Sequence, residues 1–156
     1  KENGYKADDI PEYLGLSYAA LNMTQESIAA FTEALIVRES DILLLAIAEQ
    51  YYKNKQLSAA KAYLYRIVTN TKDDKLKFKS SILLGQIYLE EENYTEAQKE
   101  FETILQNDPN YADAYYGIGV IYEKQGDLVK ARAEWRKALR IDVNHQNSLK
   151  KLSEYK

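Results

Sequence analysis

The chain has 156 residues, a formal net charge of −3 and 29% charged residues, values typical of one folded domain rather than of a disordered chain. It contains no cysteine and a single histidine, His145, which excludes disulfides, thiolate metal sites and multi-histidine metal centres. Six glycines and two prolines are too few for an all-β fold with many turns, so we expect an all-α protein.

Charge and hydropathy argue against two classes of partner. A net negative chain has no general attraction for phosphate backbones or anionic lipid. The longest apolar run, Ile42–Ala48, is far shorter than a membrane-spanning helix. We therefore predict no nucleic-acid binding and no membrane insertion. Because the sequence starts with Lys1 rather than Met, we expect it to be an excised piece of a longer protein, and its compartment is left open.

An internal repeat organises the sequence. A shift of 34 residues aligns six pairs, which are Gly85/Gly119, Tyr88/Tyr122, Ala97/Ala131, Phe101/Trp135, Leu105/Leu139 and Asp108/Asp142. Shifts of 37 and 33 residues extend the same columns toward the N-terminus. We therefore predict one domain, residues 1–156, built from four repeats. The repeats cover residues 8–40, 41–74, 78–111 and 112–145.

Within each repeat the spacing predicts two helices joined by a turn. In the fourth repeat, Tyr115, Ile118 and Tyr122 share one helical face, and Gln125-Gly126-Asp127 then interrupts the pattern. Small residues recur where the two helices should approach closely, and large ones fill the space beside that contact. The small columns are Gly15/Ala48/Gly85/Gly119 and Ser27/Ala60/Ala97/Ala131. The large columns are Tyr18/Tyr51/Tyr88/Tyr122 and Phe31/Leu64/Phe101/Trp135.

The two ends of the chain carry weaker signals. Asp9 followed by Pro11 and Glu12 predicts the start of the first helix with a capping box, and residues 1–7 are either a frayed end or the tail of an upstream repeat. Residues 146–156 are either a C-terminal capping helix or a fifth hairpin cut short. We expect Leu149, Leu152 and Tyr155 on the inner face of that helix. The opposite face would carry Lys150, Lys151 and Glu154.

These columns resemble the tetratricopeptide repeat family, whose unit is a helix–turn–helix of 34 residues. The fourth repeat carries the family pattern as Tyr115, Ile118-Gly119, Tyr122, Ala131, Trp135 and Ala138. The third repeat carries it as Leu84-Gly85, Tyr88, Ala97, Phe101 and Pro109. The closing proline is present only as Pro109, with Glu39 and Val143 in its column. The resemblance covers nearly the whole chain and implies an all-α, right-handed superhelical solenoid.

A stripe on the first helix of each repeat is more apolar than a solvent-facing surface requires. The resemblance implies that this stripe lines the concave groove of the superhelix, with Asp9 and Glu12 at one end. The predicted groove residues are Ile42, Leu45, Glu49, Tyr52, Lys79, Ile82, Gln86, Leu89, Tyr116 and Val120. We expect Leu45 and Ile82 to be exposed and Leu84 to lie in the core. The alternative is partial burial of the stripe against neighbouring first helices.

No arrangement of residues predicts catalysis or a metal or cofactor site. The acidic groups Asp8-Asp9, Asp73-Asp74 and Glu90–Glu92 lie at helix ends, where solvated charge is expected. We interpret His145 as a polar turn residue. The basic stripe of Arg132, Arg136 and Arg140 has no interleaved aromatic residues and is interpreted as a solvated face.

The sequence therefore predicts a protein-interaction scaffold, not an enzyme, that binds a partner peptide or helix in an apolar groove. Some family members hold a C-terminal carboxylate with a basic clamp, but only Lys79 fits that pattern here, which argues against chaperone tails as the partner. Two alternatives stay open. One is self-association into a homo-oligomer, and the other is an interaction module of a larger enzyme or secretion apparatus.

Overall fold

The computed structural model describes residues 9–155, and within that range it contains helices and no β-strand. The helices are α1 (Ile10–Ala20), α2 (Thr24–Val37), α3 (Asp41–Lys53), α4 (Leu57–Asn70), α5 (Asp74–Glu90), α6 (Tyr94–Asn107), α7 (Ala112–Lys124), α8 (Leu128–Ile141) and α9 (Gln146–Glu154). No helix of this described part is both long enough and apolar enough to cross a membrane.

The chain divides into two compact units, Lys1–Ser80 and Ser81–Lys156, and the division falls within α5. In the first unit α1 packs against α2, α2 against α3, and α3 against α4. In the second unit α6 packs against α7, α7 against α8, and α8 against α9. The pairs α1/α2, α3/α4 and α7/α8 each lie within one predicted repeat, so each forms a helical hairpin. The expectation that the whole chain is one domain stays a prediction.

In the first, third and fourth repeats an aromatic ring lies directly on a glycine, as the small and large columns predicted. A Cβ placed on Gly15 would lie 2.5 Å from the ring of Phe31, and one on Gly85 would lie 2.5 Å from the ring of Phe101. Trp135 covers Gly119 in the same way. The second small column is fully buried in all four repeats, and in the first repeat Ser27 Oγ donates a hydrogen bond to the Gly15 carbonyl at 2.8 Å. These side chains therefore set the spacing of the two helices.

Each hairpin turn contains one residue with a left-handed backbone at the same place in the repeat. These residues are Asn22, Lys55, Glu92 and Gly126, with φ between 58° and 87°. After each one, the next backbone N–H donates to the carbonyl of the tyrosine column at 2.8–2.9 Å, which closes the end of the first helix. Only the fourth repeat uses glycine, the residue that adopts this conformation without strain.

Side-chain caps begin several helices, but the capping box predicted for α1 is wrong. Backbone N–H groups in the first turn donate to the side chains of Ser40, Asn93, Asp127 and His145. Asp9 precedes α1 and Pro11 lies in its first turn as predicted, but the Asp9 side chain accepts no capping hydrogen bond. Instead Arg38 approaches Glu12 Oε1 at 3.2 Å and Asp9 Oδ1 at 3.8 Å. The carboxylates are therefore engaged by a guanidinium rather than by the helix terminus.

Candidate partner-binding surface

In the first unit the predicted groove residues differ widely in exposure. Ile42 is 72% exposed, whereas Leu45 is only 6% exposed, and Glu49 and Tyr52 are half-buried. The expectation that Leu45 is a surface residue is therefore wrong, since Leu43, Leu44 and Leu45 at the start of α3 are all buried. Helical periodicity predicts the face of α3 on which Leu45 lies, but it does not predict which residues cover that face.

Five further groove residues lie in the second unit, and none of them is fully buried. Ile82 and Leu89 on α5 are half-buried, and Gln86 between them is exposed. Tyr116 and Val120 lie one turn apart on α7 and are both half-buried. Lys79 falls in the first unit and is exposed, and Leu84 is fully buried as expected. Their role in binding stays a prediction.

The aromatic ring of Tyr116 is positioned by a polar cluster that joins α7 to α9. The ring centroids of Tyr116 and His145 lie 5.6 Å apart. His145 Nδ1 accepts a hydrogen bond from the Ser148 N–H at 3.3 Å, so in the neutral ring Nε2 carries the hydrogen and donates to Asp113 Oδ1 at 2.6 Å. His145 thereby caps α9 and holds it against the start of α7.

A second polar cluster lies at the other end of the same two helices. Lys151 Nζ donates to both oxygens of Glu123 at 2.8 and 2.9 Å, and the Tyr155 hydroxyl donates to Glu123 Oε2 at 2.6 Å. Burial raises the pKa of Glu123, but these hydrogen bonds outweigh it, and the net pKa lies below its ordinary value. The Tyr155 ring also stacks on Trp135, with centroids 6.0 Å apart. Glu123 is thus held ionised at the edge of the predicted groove.

Known proteins with the same repeat pattern are similar to this chain in sequence and in structure. The family model of the tetratricopeptide repeat matches residues 82–143. The crystal structure of YrrB, a TPR protein with an unusual peptide-binding site, has a TM-score of 0.76 and 26% identity, covering 94% of this chain and 75% of YrrB. Residues 82–143 of this chain belong to the tetratricopeptide repeat family. Such repeats generally mediate protein–protein interactions and generally serve as scaffolds without catalytic activity.

Other relatives extend the comparison. The crystal structure of MamA has a TM-score of 0.73 at 20% identity, covering 90% of this chain and 81% of MamA. Superkiller protein 3 of Schizosaccharomyces pombe is 26% identical over 149 residues, and ycf37 of Pyropia yezoensis is 35% identical over 66 residues. The matched segments are 90% and 42% of this chain, but only 11% and 37% of those two proteins. The chain thus spans well under half of the length of both curated relatives.

The structure shows hydrogen bonds for some of the other charged residues that the sequence analysis named. Asp73 Oδ1 accepts backbone N–H bonds from Lys75 and Leu76 at the start of α5, while Asp8 lies outside the described residues. Arg132 Nε donates to the Tyr155 carbonyl at 3.2 Å, and Arg136 and Arg140 are exposed. Over residues 9–155 there is no group of three or more His, Asp and Glu residues arranged to hold a metal ion.

The structure adds to one prediction for the end of the chain and contradicts another. His145 lies in the connection before α9, as a polar turn residue would, but it is only 8% exposed and both of its ring nitrogens are hydrogen-bonded. Lys151 was placed on the outer face of α9, but it contacts Glu123, and Leu149 is 41% exposed. The position of His145 in the sequence could have indicated this cap. His145 directly precedes the last helical pattern, and a residue at that position can accept a hydrogen bond from the backbone N–H three residues later, here that of Ser148. The partner of His145 on α7, Asp113, carried no such signal.

Proposed function

We propose that this tetratricopeptide repeat chain binds an apolar segment of a partner protein, extended or helical, along the first helices of its hairpins. The candidate contact residues are those of the predicted groove that keep solvent exposure, and Leu45 is no longer among them. In the first unit they are Ile42, Glu49, Tyr52 and Lys79, and in the second unit they are Ile82, Gln86, Leu89, Tyr116 and Val120. A related solved protein, YrrB, is described as having an unusual peptide-binding site, which supports a peptide as the kind of partner. The proposal contains no catalytic step.

The environment of Tyr116 is the observation that carries the proposal. Its ring is held beside His145 and next to the half-buried side chain of Val120, so it is available to a partner without first having to be ordered. Burial is the largest effect on the pKa of the Tyr116 hydroxyl and raises it. The positive charge of Lys151 lowers this pKa by less, and the carboxylates of Glu123 and Glu154 raise it further, so the net pKa lies above its ordinary value. The hydroxyl is therefore a neutral hydrogen-bond donor at pH 7. Fixed aromatic side chains of this kind anchor many interfaces.

Recognition by this surface should be apolar rather than ionic. Three carboxylates on the first helices already have partners: Glu12 contacts Arg38, Asp113 contacts His145, and Glu123 contacts Lys151. Arg38 and Lys151 compensate the charges of Glu12 and Glu123, and Asp113 is engaged in a hydrogen bond with His145, so we expect little net field to attract a charged ligand. We therefore expect the affinity for a partner peptide to change by less than about threefold when the ionic strength is raised about tenfold from low salt.

Selection of peptides from a random library displayed on phage, with the 156-residue chain as bait, tests the proposal. Binding of the selected peptides is then measured by fluorescence anisotropy for the parent chain and for Val120→Asp. Because apolar anchors near the centre of an interface supply much of its energy, we expect Val120→Asp to weaken binding about tenfold or more. Circular dichroism of each variant establishes that its helices are intact.

Val129→Asp is the matched control. Val129 is also a valine, lies on the second helix of the same hairpin and is 76% exposed. We expect this control to bind the selected peptides within about twofold of the parent chain, as is usual for substitutions outside an interface core. Peptides that bind both variants equally well, or a selection that enriches no peptide, would contradict binding along the first helices.

A further inference from the structure

The second helix of the fourth repeat, α8, carries an unbalanced positive charge along one face. Arg132, Arg136 and Arg140, here called the α8 stripe, are spaced four residues apart and so lie along one side of the helix over about 12 Å. Arg136 and Arg140 are exposed, and Arg132 is half-buried. Glu134 is the one acidic residue of α8, and its carboxylate is bonded to Lys137 at 2.7 Å. Within the part of the chain that the structure describes, none of the three guanidinium groups forms an ion pair.

The other arginines of the chain are paired with carboxylates. Two of the five arginines lie outside α8, and of these Arg38 contacts Glu12 while Arg66 contacts Glu39. A guanidinium group matches a carboxylate in shape, because its N–H donors can bind both carboxylate oxygens together. The α8 stripe has no such contact within the described residues, so a carboxylate of another molecule is a ligand that it fits.

The positive charge of this face is specific to the fourth repeat. In the other three repeats the positions of Arg136 and Arg140 carry no basic residue, and all six residues there are exposed. They are Thr32, Ile36, Tyr65, Thr69, Glu102 and Gln106. The column of Arg132 contains one other cation, Lys61. Solvation of this face therefore does not require arginine, and like charges four residues apart oppose helix formation. The hairpin fold alone does not account for the α8 stripe.

We propose that the α8 stripe binds an acidic helix of a partner protein. Aspartate or glutamate residues four apart on a helix are spaced by about 6 Å along its axis, which is also the spacing of the arginines. Each guanidinium group can then face one carboxylate of the partner. Ala133 lies beside Arg136 on the same face and is exposed, so its short side chain lets a helix approach the arginines closely. This surface lies on a second helix and is separate from the first helices that are proposed to bind an apolar segment.

The composition of the surface favours an acidic protein over a nucleic acid. Phosphate is also a ligand of arginine. Surfaces that bind nucleic acids, however, usually combine a basic domain with aromatic side chains on which bases stack. The chain has a net charge of −3, and the exposed residues of α8 include no aromatic side chain. Carboxylates of a protein are therefore the better match for the α8 stripe.

Two synthetic helical peptides of identical composition test the proposal. In the first peptide, glutamates at positions i, i+4 and i+8 of a host of alanine and glutamine share one face. In the second peptide, the same glutamates are distributed around the helix. Fluorescence anisotropy at low salt measures the binding of each labelled peptide to the 156-residue chain. We expect the first peptide to bind at least about fivefold more tightly than the second, and its affinity to fall at least about tenfold when the ionic strength is raised about tenfold.

Charge-removing variants locate the binding of the first peptide. Arg136→Gln combined with Arg140→Gln should weaken this binding at least about tenfold, because it removes two of the three groups that face carboxylates. Lys99→Gln combined with Lys124→Gln is the matched control, since it removes the same charge from exposed positions on α6 and α7. We expect this control to bind the peptide within about twofold of the parent chain. Circular dichroism of each variant establishes that its helices are intact.

Several outcomes would overturn the proposal. Equal affinity for the two peptides, or equal weakening in the two charge variants, would show attraction by net charge alone. Absence of binding to either peptide at about 1 mM would exclude recognition of an acidic helix by this face. A DNA duplex that binds more tightly than the first peptide, and loses its binding in the arginine variant, would assign the α8 stripe to nucleic acid instead. None of these results bears on peptide binding along the first helices, which is measured separately with Val120→Asp.

Discussion

Substitution of Gly85 by alanine tests whether the ring of Phe101 sets the spacing of its hairpin. The added Cβ would lie 2.5 Å from both Cε1 and Cζ of the ring. Phe101 is 1% exposed, so the ring has no open space to move into. Overpacking of a core costs about 1–3 kcal/mol, and two contacts this short belong in the upper half of that range. Alanine gains about 1 kcal/mol over glycine inside a helix, which leaves an expected net loss of about 1–2 kcal/mol in the free energy of unfolding.

A double-mutant cycle with Phe101→Leu separates this contact from other effects. The second repeat has alanine and leucine at the two positions, Ala48 and Leu64, and both are fully buried. The variant G85A/F101L reproduces that pair, because the shorter side chain makes room for the new methyl group. We expect the double variant to lose about 1–2 kcal/mol less than the sum of the single losses. Urea unfolding followed by circular dichroism gives all four free energies. A cycle that is additive within about 0.5 kcal/mol would refute the ring-on-glycine explanation.

Three further predictions concern the turns and the last helix. Glu92→Gly should raise the unfolding free energy by up to about 1 kcal/mol, because glycine adopts the left-handed backbone of this turn without strain. Gly126→Ala should lower it by about 1 kcal/mol through backbone strain alone, because the added Cβ meets nothing within 4 Å. Thermal melts in which both variants shift in the same direction would contradict this. His145→Ala should cost about 1–3 kcal/mol in urea unfolding, because it removes the α9 cap and the bond to Asp113, and a loss below about 0.5 kcal/mol would contradict that role. Because the folded-state pKa of Glu123 lies below the ordinary 4.5, its stabilisation is present above that pH and is lost as the pH falls through the lower value. The parent should therefore lose stability more steeply below pH 4.5 than Glu123→Gln, and equal slopes in acid titrations would contradict the prediction.

The hairpins could be predicted because their determinants repeat. Gly85 and Gly119 occupy one column and Phe101 and Trp135 another, and both columns are contacts between residues close in the chain. A contact that recurs with a fixed period is visible in the sequence even when no single residue is decisive. These columns predict the helical hairpins of the tetratricopeptide fold. The turn residues in each repeat predict where its first helix ends.

Features that depend on distant partners could not be predicted. Leu45 and Ile42 both lie on the predicted stripe, yet one is buried and the other exposed, because periodicity does not reveal which neighbour covers a side chain. The bond between His145 and Asp113 joins residues 32 positions apart and occurs in a single place, so no column indicates it. The cap predicted for Asp9 failed for a related reason, since Arg38 competes for the carboxylates near α1.

The attachment of α9 has a consequence for how the chain opens. Ser148 is the one buried residue of α9, and the contacts that hold the helix are the polar bonds of His145, Lys151 and Tyr155 together with the stacking of the Tyr155 ring on Trp135. Detachment of this nine-residue helix exposes less apolar surface than separation of α7 from α8, helices of 13 and 14 residues, would, so we expect it to require less free energy. The amide hydrogens of α9 should therefore exchange with solvent through local opening, while those of α8 wait for global unfolding. Each opening would briefly expose the indole of Trp135, which makes the single tryptophan of this chain a natural reporter of the motion.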